Sequence, residues 1–355
     1  MRRGDRRLIA ITALLVTGSA LTRFVSSGRV APFVVSALAL AGLAALVGRS
    51  VDGLGDRLGS GATGVLQSAL GNIPELLFGF FALRKGLVTV VQAALVGSVL
   101  ANVLLVLGVA VIVGGARNGT QRFAAEGPRI TVLLLLLSVA ILLVPTVTAH
   151  LHTPAASHEQ ALSNTASVVL LLVFALAVPM SLRRAGPAGG EDAGFATAVE
   201  GPPWPLGLAI GLLAGASVGA AFVSDWFVTA LTPALSAMHI SEAFAGLVIV
   251  AIAGNAVENV VGIQLAARNR MDYALSVTLQ SPVQVALAVA PVLVLLSPVI
   301  GGATLSLVFP PLLVVALAIT AVVAVVVVFD GESTWLEGVC LVGLYVVVAT
   351  AFWWG

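Results

Sequence analysis

The sequence predicts an all-α polytopic membrane protein: about eleven transmembrane helices, arranged as two inverted five-helix repeats behind one extra N-terminal helix. Three observations carry that prediction. Hydrophobic residues make up 59% of the 355-residue chain and charged residues 9%, whereas soluble domains carry about 25% charged residues. Apolar runs long enough for a helix to cross lipid recur along the chain. Finally, one motif occurs twice, as Gly71-Asn72-Ile73-Pro74-Glu75 and as Gly254-Asn255-Ala256-Val257-Glu258, 183 residues apart. The register outlasts the motif, because Ser98 follows Glu75 by the same 23 residues that separate Ser281 from Glu258.

The spans can be taken in order. Met1-Arg2-Arg3-Gly4-Asp5-Arg6-Arg7 before an apolar run imitates a signal peptide. No small-x-small cleavage site follows, so residues 8–25 are expected to stay as the first helix. The remaining spans are expected near 30–51, 61–83, 87–114, 129–148, 163–182, 205–231, 241–267, 272–297, 303–329 and 335–354. Each is close to the ~20 residues that a ~30 Å hydrocarbon core demands of a helix. Lipid offers backbone groups no partners, so helices satisfy them internally.

Arginine placement orients the chain. With the N-terminus in the cytoplasm, the inner segments hold Arg2, Arg3, Arg6, Arg7, Arg49, Arg57, Arg117, Arg122, Arg129, Arg183, Arg184, Arg268 and Arg270. The outer segments hold only Arg23, Arg29, Arg84 and Lys85. That bias predicts an inner (plasma) membrane protein with its N-terminus cytoplasmic and, after an odd number of spans, its C-terminus outside. The polar Gly/Pro-rich stretch 183–204 reads as a cytoplasmic linker. It separates a first repeat at 30–182 from a second at 205–355, with residues 1–29 as the extra helix. Five spans per repeat is odd, so the halves enter the membrane from opposite faces, as in many secondary transporters.

The chemistry concentrates at the duplicated motif. Glu75 lies about fourteen residues into its span, ~21 Å from the inner end and still within the hydrocarbon. An ionised carboxylate there costs at least ~2.5 kcal/mol unless it faces a wet cavity and binds a cation or a proton. The competing reading is a protonated glutamate bonded within the bundle, or one paired with a buried arginine. No Arg or Lys lies near either motif within its own span. Asn72 and Asn255 precede their glutamates by three residues and share a helix face with them. Gly71 and Gly254 loosen the helix, and Pro74 is expected to free the carbonyl of Leu70. Carboxylates beside freed carbonyls are the oxygen ligands hard cations prefer. Glu75 and Glu258 are therefore the candidate cation and proton ligands, with Asn72 and Asn255 beside them.

Ser98 with Asn102, and Ser281 with Gln284, lie on single faces of the next spans. They are read either as groups orienting the glutamates or as interhelical bonds worth ~0.6 kcal/mol each. Gln92 is a weaker signal. Asp52 and Asp225 are candidate acidic groups at a cation entrance, competing with plain interfacial charges. His150, His152 and His158 are read as a solvated loop, Asp330, Glu332 and Glu337 as a solvated acidic loop, and Trp335, Trp353 and Trp354 as interfacial anchors. The single Cys340 excludes an intramolecular disulfide and a thiolate metal cluster. A net charge of +1 points to no nucleic-acid partner. There is no phosphate-binding glycine loop, zinc spacing or nucleophile triad. The expectation is a transporter run on ion gradients, with no enzymatic activity and no cofactor, whose partners are inorganic cations, protons and the bilayer.

These residues resemble the cation/proton exchanger branch of the calcium/cation antiporter superfamily, which carries two repeats built on Gly-Asn-x-x-Glu. The first repeat matches at Gly71-Asn72, Glu75, Phe81-Ala82-Leu83, Val91-Gln92, Gly97-Ser98 and Asn102 through Gly108. The second matches at Ser224-Asp225-Trp226, Ser241 through Phe244, Gly254-Asn255-Ala256, Glu258, Ser281 and Gln284. The resemblance implies eleven helices, Glu75 and Glu258 as central cation ligands, exchange of Ca²⁺ for H⁺, and spans 2 and 7 as the moving gate. The chain departs from the pattern at Pro74, usually Thr or Ala, and at Asn259, often His. It departs again at Gln280-Ser281-Pro282-Val283-Gln284, usually Gly-Ser-Ser-Thr-Gln, and the acidic helix between repeats is reduced to Glu191, Asp192 and Glu200. Two alternatives stand beside Ca²⁺/H⁺ exchange. One is Na⁺/H⁺ or Mn²⁺/H⁺ exchange on the same fold. The other is a non-transporting membrane sensor or assembly subunit, since a shared fold does not guarantee a shared activity.

Overall fold

The computed structural model describes residues 3–25, 28–58, 70–184 and 204–354. The linker carrying Glu191, Asp192 and Glu200 and the first part of the expected third span, 61–69, lie outside the described residues. The helices are α1 (Arg3–Val25), α2 (Ala31–Leu58), α3 (Ile73–Arg84), α4 (Val88–Asn118), α5 (Glu126–His150), α6 (Glu159–Arg184), α7 (Leu206–Met238), α8 (Glu242–Gly254), α9 (Ala256–Ala267), α10 (Met271–Ile300), α11 (Pro311–Phe329) and α12 (Trp335–Trp353). Among the described residues nine helices are long and apolar enough to cross a membrane, and α8 with α9 forms a tenth, bent span. Two short strands, β1 (Gln121–Arg122) and β2 (Glu332–Ser333), pair antiparallel between helix ends.

The chain forms two compact units, and each draws helices from both halves of the sequence. The first comprises 1–82 and 175–239, the second 83–174 and 240–355.

In the first unit α2 packs along α7. Leu40, Leu43, Val47 and Val51 on α2 meet Ala216, Ala220 and Val223 on α7, where small residues let the helices approach closely. Phe227 of α7 stacks on Phe33 with ring centres 5.0 Å apart and meets Phe78 of α3 at 5.8 Å. Helix α1 is peripheral: only 11% of its apolar window is buried, as suits a helix facing lipid. It is nonetheless tied at two levels. Ser19 and Ser36 hydroxyls share a hydrogen bond of 2.8 Å. Asp5 accepts from Arg49 Nε at 3.3 Å and from Trp204 Nε1 at 3.0 Å, so it links the ends of α1 and α2 to the residue just before α7.

The second unit is built around α4 and α10, whose apolar windows are 78% and 61% buried. Helices this apolar on every face belong inside a bundle. Glycines set the tightest crossings. A Cβ on Gly97 of α4 would collide with the Leu247 carbonyl of α8, and one on Gly338 of α12 would come within 2.5 Å of the Gly108 carbonyl. Each long helix widens into a π-turn, at Ala101–Val106 in α4 and Val285–Val289 in α10, and a third occupies Ala245–Val250 of α8. Such turns are concentrated at functional sites.

One span starts later than the sequence suggests. Residues 303–309 are apolar and read as the opening of span 10, yet α11 begins only at Pro311. The stretch is an extended strap, buried at Leu305, Leu307 and Phe309. Its amides donate to Ser297, Ser163 and Thr146 hydroxyls in turn, at 2.9, 3.0 and 2.9 Å. Gln92 Nε2 donates to the carbonyls of Ser306 and Val308 at 3.2 and 2.8 Å. Side chains from four helices replace the helical ladder, which is how non-helical backbone survives at membrane depth. Gln92, a weak signal in the sequence, is thus a principal holder of this strap. The loop bearing Asp330, Glu332 and Glu337 is also more than solvated: Glu332 pairs with Arg122 at 2.9 Å, and Glu337 forms a capping box with Thr334 at the start of α12.

Candidate cation-binding site

Both motif copies start a new helix directly after the asparagine, in one register. Gly71 and Asn72 form a turn after Leu70, and α3 starts at Ile73. In the second copy α8 ends at Gly254, Asn255 leaves helical geometry at φ −98°, ψ 24°, and α9 starts at Ala256. The axis turns by 62° at that break. Helices α3 and α9 have 12 residues each and begin and end 183 residues apart. The Asn72 carbonyl accepts from Leu76 N–H at 3.1 Å, and the Asn255 carbonyl accepts from Asn259 N–H at 3.1 Å, so each asparagine opens the following helix.

This corrects the expected role of Pro74. It does not unlock a carbonyl inside a continuous helix. It occupies the second position of α3, where its missing N–H is one the helix end would leave spare. Glu75 and Glu258 each become the third residue of a fresh helix, in the turn where spare N–H groups and the helix dipole meet a carboxylate.

In the first unit Asn72 is buried, and Glu75 is half-buried with Oε2 shut off from solvent. In the second unit Asn255 is fully buried and is the hub of a hydrogen-bonded chain. Its Nδ2 donates to Ser98 Oγ of α4 at 2.9 Å and to the Ala251 carbonyl at 2.9 Å. Its Oδ1 accepts from Ser281 Oγ of α10 at 2.9 Å. Asn102, 0% exposed, donates through Nδ2 to the Ser98 carbonyl at 3.0 Å. Gln284 is buried at the end of the α-helical part of α10, just before its π-turn. The broken span is therefore clamped to both central helices by the residues that the 23-residue spacing singled out. The side chain of Glu258 lies outside the described residues.

The two entrance candidates belong to the first unit. Asp52 lies on α2, with its side chain outside the described residues. Asp225 on α7 is about one-third exposed and stands 3.8 Å from Arg23 of α1. A cap on α9 is scarcely signalled in the sequence. Gln121 Nε2 donates to the Ala266 carbonyl at 3.0 Å and Asn118 Nδ2 reaches it at 3.4 Å, so the last turn of α9 is satisfied by a loop of the first half. Amides in a short polar loop beside Gly119 were the one available signal.

The comparisons with known proteins agree with this architecture. The family model for the sodium/calcium exchanger protein matches residues 29–183 and 208–354. A Ca²⁺/H⁺ antiporter of Aphanothece halophytica is 32% identical over 352 residues, spanning 96% of this chain and 94% of the relative. One of Synechocystis sp. is 33% identical over 344 residues, 92% of this chain and 91% of the relative. The solved structure of native YfkE superposes with a TM-score of 0.82 at 29% identity, covering 98% of this chain and 99% of that one. The two matched segments take in both motif copies and both central helices, and the chain belongs to the sodium/calcium exchanger protein family.

Proposed function

We propose that the protein is a secondary active antiporter that exchanges Ca²⁺ for H⁺ by alternating access. The observation that carries this reading is the duplicated helix start, with a carboxylate as third residue of each new helix and a buried asparagine opening it. Glu75 and Glu258 are the groups that take the cation or protons, and Asn72 and Asn255 open the helices that carry them. Ser98, Asn102, Ser281 and Gln284 fix Asn255 and the central helices around it. Gly71 stands in the turn before α3 and Gly254 ends α8, and Asp52 and Asp225 serve the approach of cations.

Charge explains why the transport is coupled. Two carboxylates carry a charge of −2, which Ca²⁺ or two protons cancel. The neutral loaded forms can reorient in a low-dielectric surrounding. The empty, charged form pays at least ~2.5 kcal/mol for each bare carboxylate, so it reorients slowly. Exchange follows, and a uniporter does not. Binding a cation this way also suits turnover of one ion per cycle better than rapid conduction.

The remaining parts of the reading come from the chain's own pattern. The protein resides in a bacterial-type plasma membrane with its N-terminus cytoplasmic and its C-terminus outside. Residues 30–182 and 205–355 are the inverted repeats, 183–204 the cytoplasmic linker and 1–29 the added helix. It works without a cofactor or a catalytic step; Ca²⁺ and H⁺ are its substrates.

The test is flux in liposomes under an imposed pH gradient, with Ca²⁺, Na⁺ and Mn²⁺ compared. Ca²⁺ is expected to accumulate against its gradient and to dissipate the pH difference. Accumulation of Na⁺ or Mn²⁺ in its place would reassign the ion. Zero flux of all three, with cation binding retained, would make the protein a sensor or an assembly subunit.

A further inference from the structure

Three arginines at one end of the second unit carry charge that the protein itself does not answer. Arg117, Arg268 and Arg270 are exposed, and among the described residues they form no ion pair. The other arginines of that end are committed. Arg122 pairs with Glu332 at 2.9 Å, and Arg129 donates to the Phe329 carbonyl and lies over the Phe329 ring, 5.3 Å from its centre. Nearby acids are engaged too. Asp272 Oδ1 accepts from the Ala124 N–H at 2.6 Å, and Asp330 Oδ1 accepts from the Glu332 N–H at 3.1 Å.

The three arginines are presented by fixed backbone. Asn118 ends α4, and its Nδ2 reaches the Ala266 carbonyl in the last turn of α9 at 3.4 Å; Gln121 Nε2 bonds the same carbonyl at 3.0 Å. The ends of α4 and α9 therefore lie side by side, with Arg117 and Arg268 at them. Beyond α9 the chain closes a Schellman turn, in which the Arg270 N–H donates to the Leu265 carbonyl and the Asn269 N–H to the Ala266 carbonyl, both at 3.0 Å. Asn269 is left-handed, with φ 59°, and its Oδ1 accepts from Gln121 Nε2 at 3.0 Å. The middle residue is thus tied inward, and the arginines on either side of it stay exposed.

Depth identifies what they face. Trp335 is 56% exposed and lies against the last turn of α4, where a Cβ on Gly115 would come within 2.9 Å of its amide nitrogen. An exposed tryptophan at a span end marks the headgroup level of a bilayer, and Arg117 is two residues past Gly115. Val260, 54% exposed and about two turns before Arg268, continues the apolar surface of α9. The anion available at that level is a lipid phosphate, whose oxygens match the planar donor fork of arginine.

We propose that Arg117, Arg268 and Arg270 form a headgroup site for an anionic phospholipid, which ties the far end of α9 to the membrane surface. Basic pockets between spans on the cytoplasmic side suit such headgroups. The site needs only that the chain sits in a bilayer; its place in the inner leaflet rests on the orientation proposed above, and nothing in it rests on ion exchange.

The test titrates the full chain, purified in a neutral detergent, with phosphatidylglycerol and separately with phosphatidylcholine, reading bound lipid by native mass spectrometry and stability by melting temperature. Phosphatidylglycerol is expected to bind at least about tenfold more tightly and to raise the melting temperature. Arg117→Gln, Arg268→Gln and Arg270→Gln together should weaken it about a hundredfold, and each alone about fivefold. Arg122→Gln, at the paired arginine, should leave affinity within about twofold. Equal affinity for the two lipids, or equal weakening by Arg122→Gln and the triple variant, would overturn the proposal. Competition by inorganic phosphate at matched ionic strength would also overturn it, by reassigning the site to a soluble anion. A second readout needs no variant: photoactivatable phosphatidylglycerol on the unchanged protein should label the segments around Arg117 and Arg268–Arg270, and labelling spread evenly over other span ends would refute the site. Ca²⁺ flux enters neither readout, so failure of the exchanger reading leaves both results intact.

Discussion

Glu258→Gln, and separately Glu75→Gln, is expected to abolish ΔpH-driven Ca²⁺ uptake into inverted vesicles, a loss of at least about a hundredfold, or ~2.7 kcal/mol on the barrier. The amide keeps the size and the hydrogen-bonding atoms of the side chain. It removes the charge that balances Ca²⁺ and the group that gains and loses a proton. A Gln variant holds a permanently neutral position, so the empty carrier reorients more easily while the metal-loaded carrier keeps an uncancelled charge. Coupling is lost at both steps. Because each glutamate opens a helix of the same length and register, the two variants should fail alike. Uptake at the parental rate in either would remove that carboxylate from the mechanism.

Asn255→Leu is expected to have the second-largest effect, cutting uptake by about ten- to a hundredfold and lowering thermal stability as well. Three bonds centre on this side chain: to Ser98 on α4, to Ser281 on α10 and to the Ala251 carbonyl at the end of α8. Leucine would leave two buried hydroxyls without their partner, at ~1–3 kcal/mol each. It would also release the 62° break that places Glu258 at a helix start. Asn255→Asp separates these effects. Aspartate retains an acceptor for Ser281 Oγ, so stability should recover, while the added charge should still impair flux. Melting temperature measured beside initial uptake rate checks both. An Asn255→Leu protein with unchanged melting and flux would show that the hydrogen-bonded chain is incidental.

Much of the site was legible because its signals are local. A carboxylate within an apolar run is conspicuous, and the glycine ahead of it is expected to loosen the helix. The repeat of that pattern with a serine at a fixed interval pointed to Ser98 and Ser281, which meet at Asn255. Span ends were legible for the same reason, as at Trp335, where a capping box starts α12. What escaped notice depends on distant residues. The strap at 303–309 is as apolar as a helix, and its extended form is fixed by Ser163, Thr146 and Gln92 from elsewhere in the chain. Pro74 read as a kink because its helix was taken to be continuous, whereas the preceding turn makes it a starting residue.

The two-unit arrangement also gives α1 a physical task. Its Asp5 receives bonds from Arg49 on α2 and from Trp204 just before α7, and its Arg23 stands beside Asp225 on α7. An added helix that touches both α2 and α7 at separated levels holds them as one body.

The central claim is that metal and protons compete for the same two carboxylates. Calcium binding to the purified protein, measured across pH with proton release followed in the same titration, tests this most directly. The account predicts that affinity falls steeply as pH is lowered and that each bound Ca²⁺ expels protons, with the expulsion lost in the Glu75→Gln, Glu258→Gln double variant. An affinity independent of pH, or Ca²⁺ bound with no proton released, would contradict it.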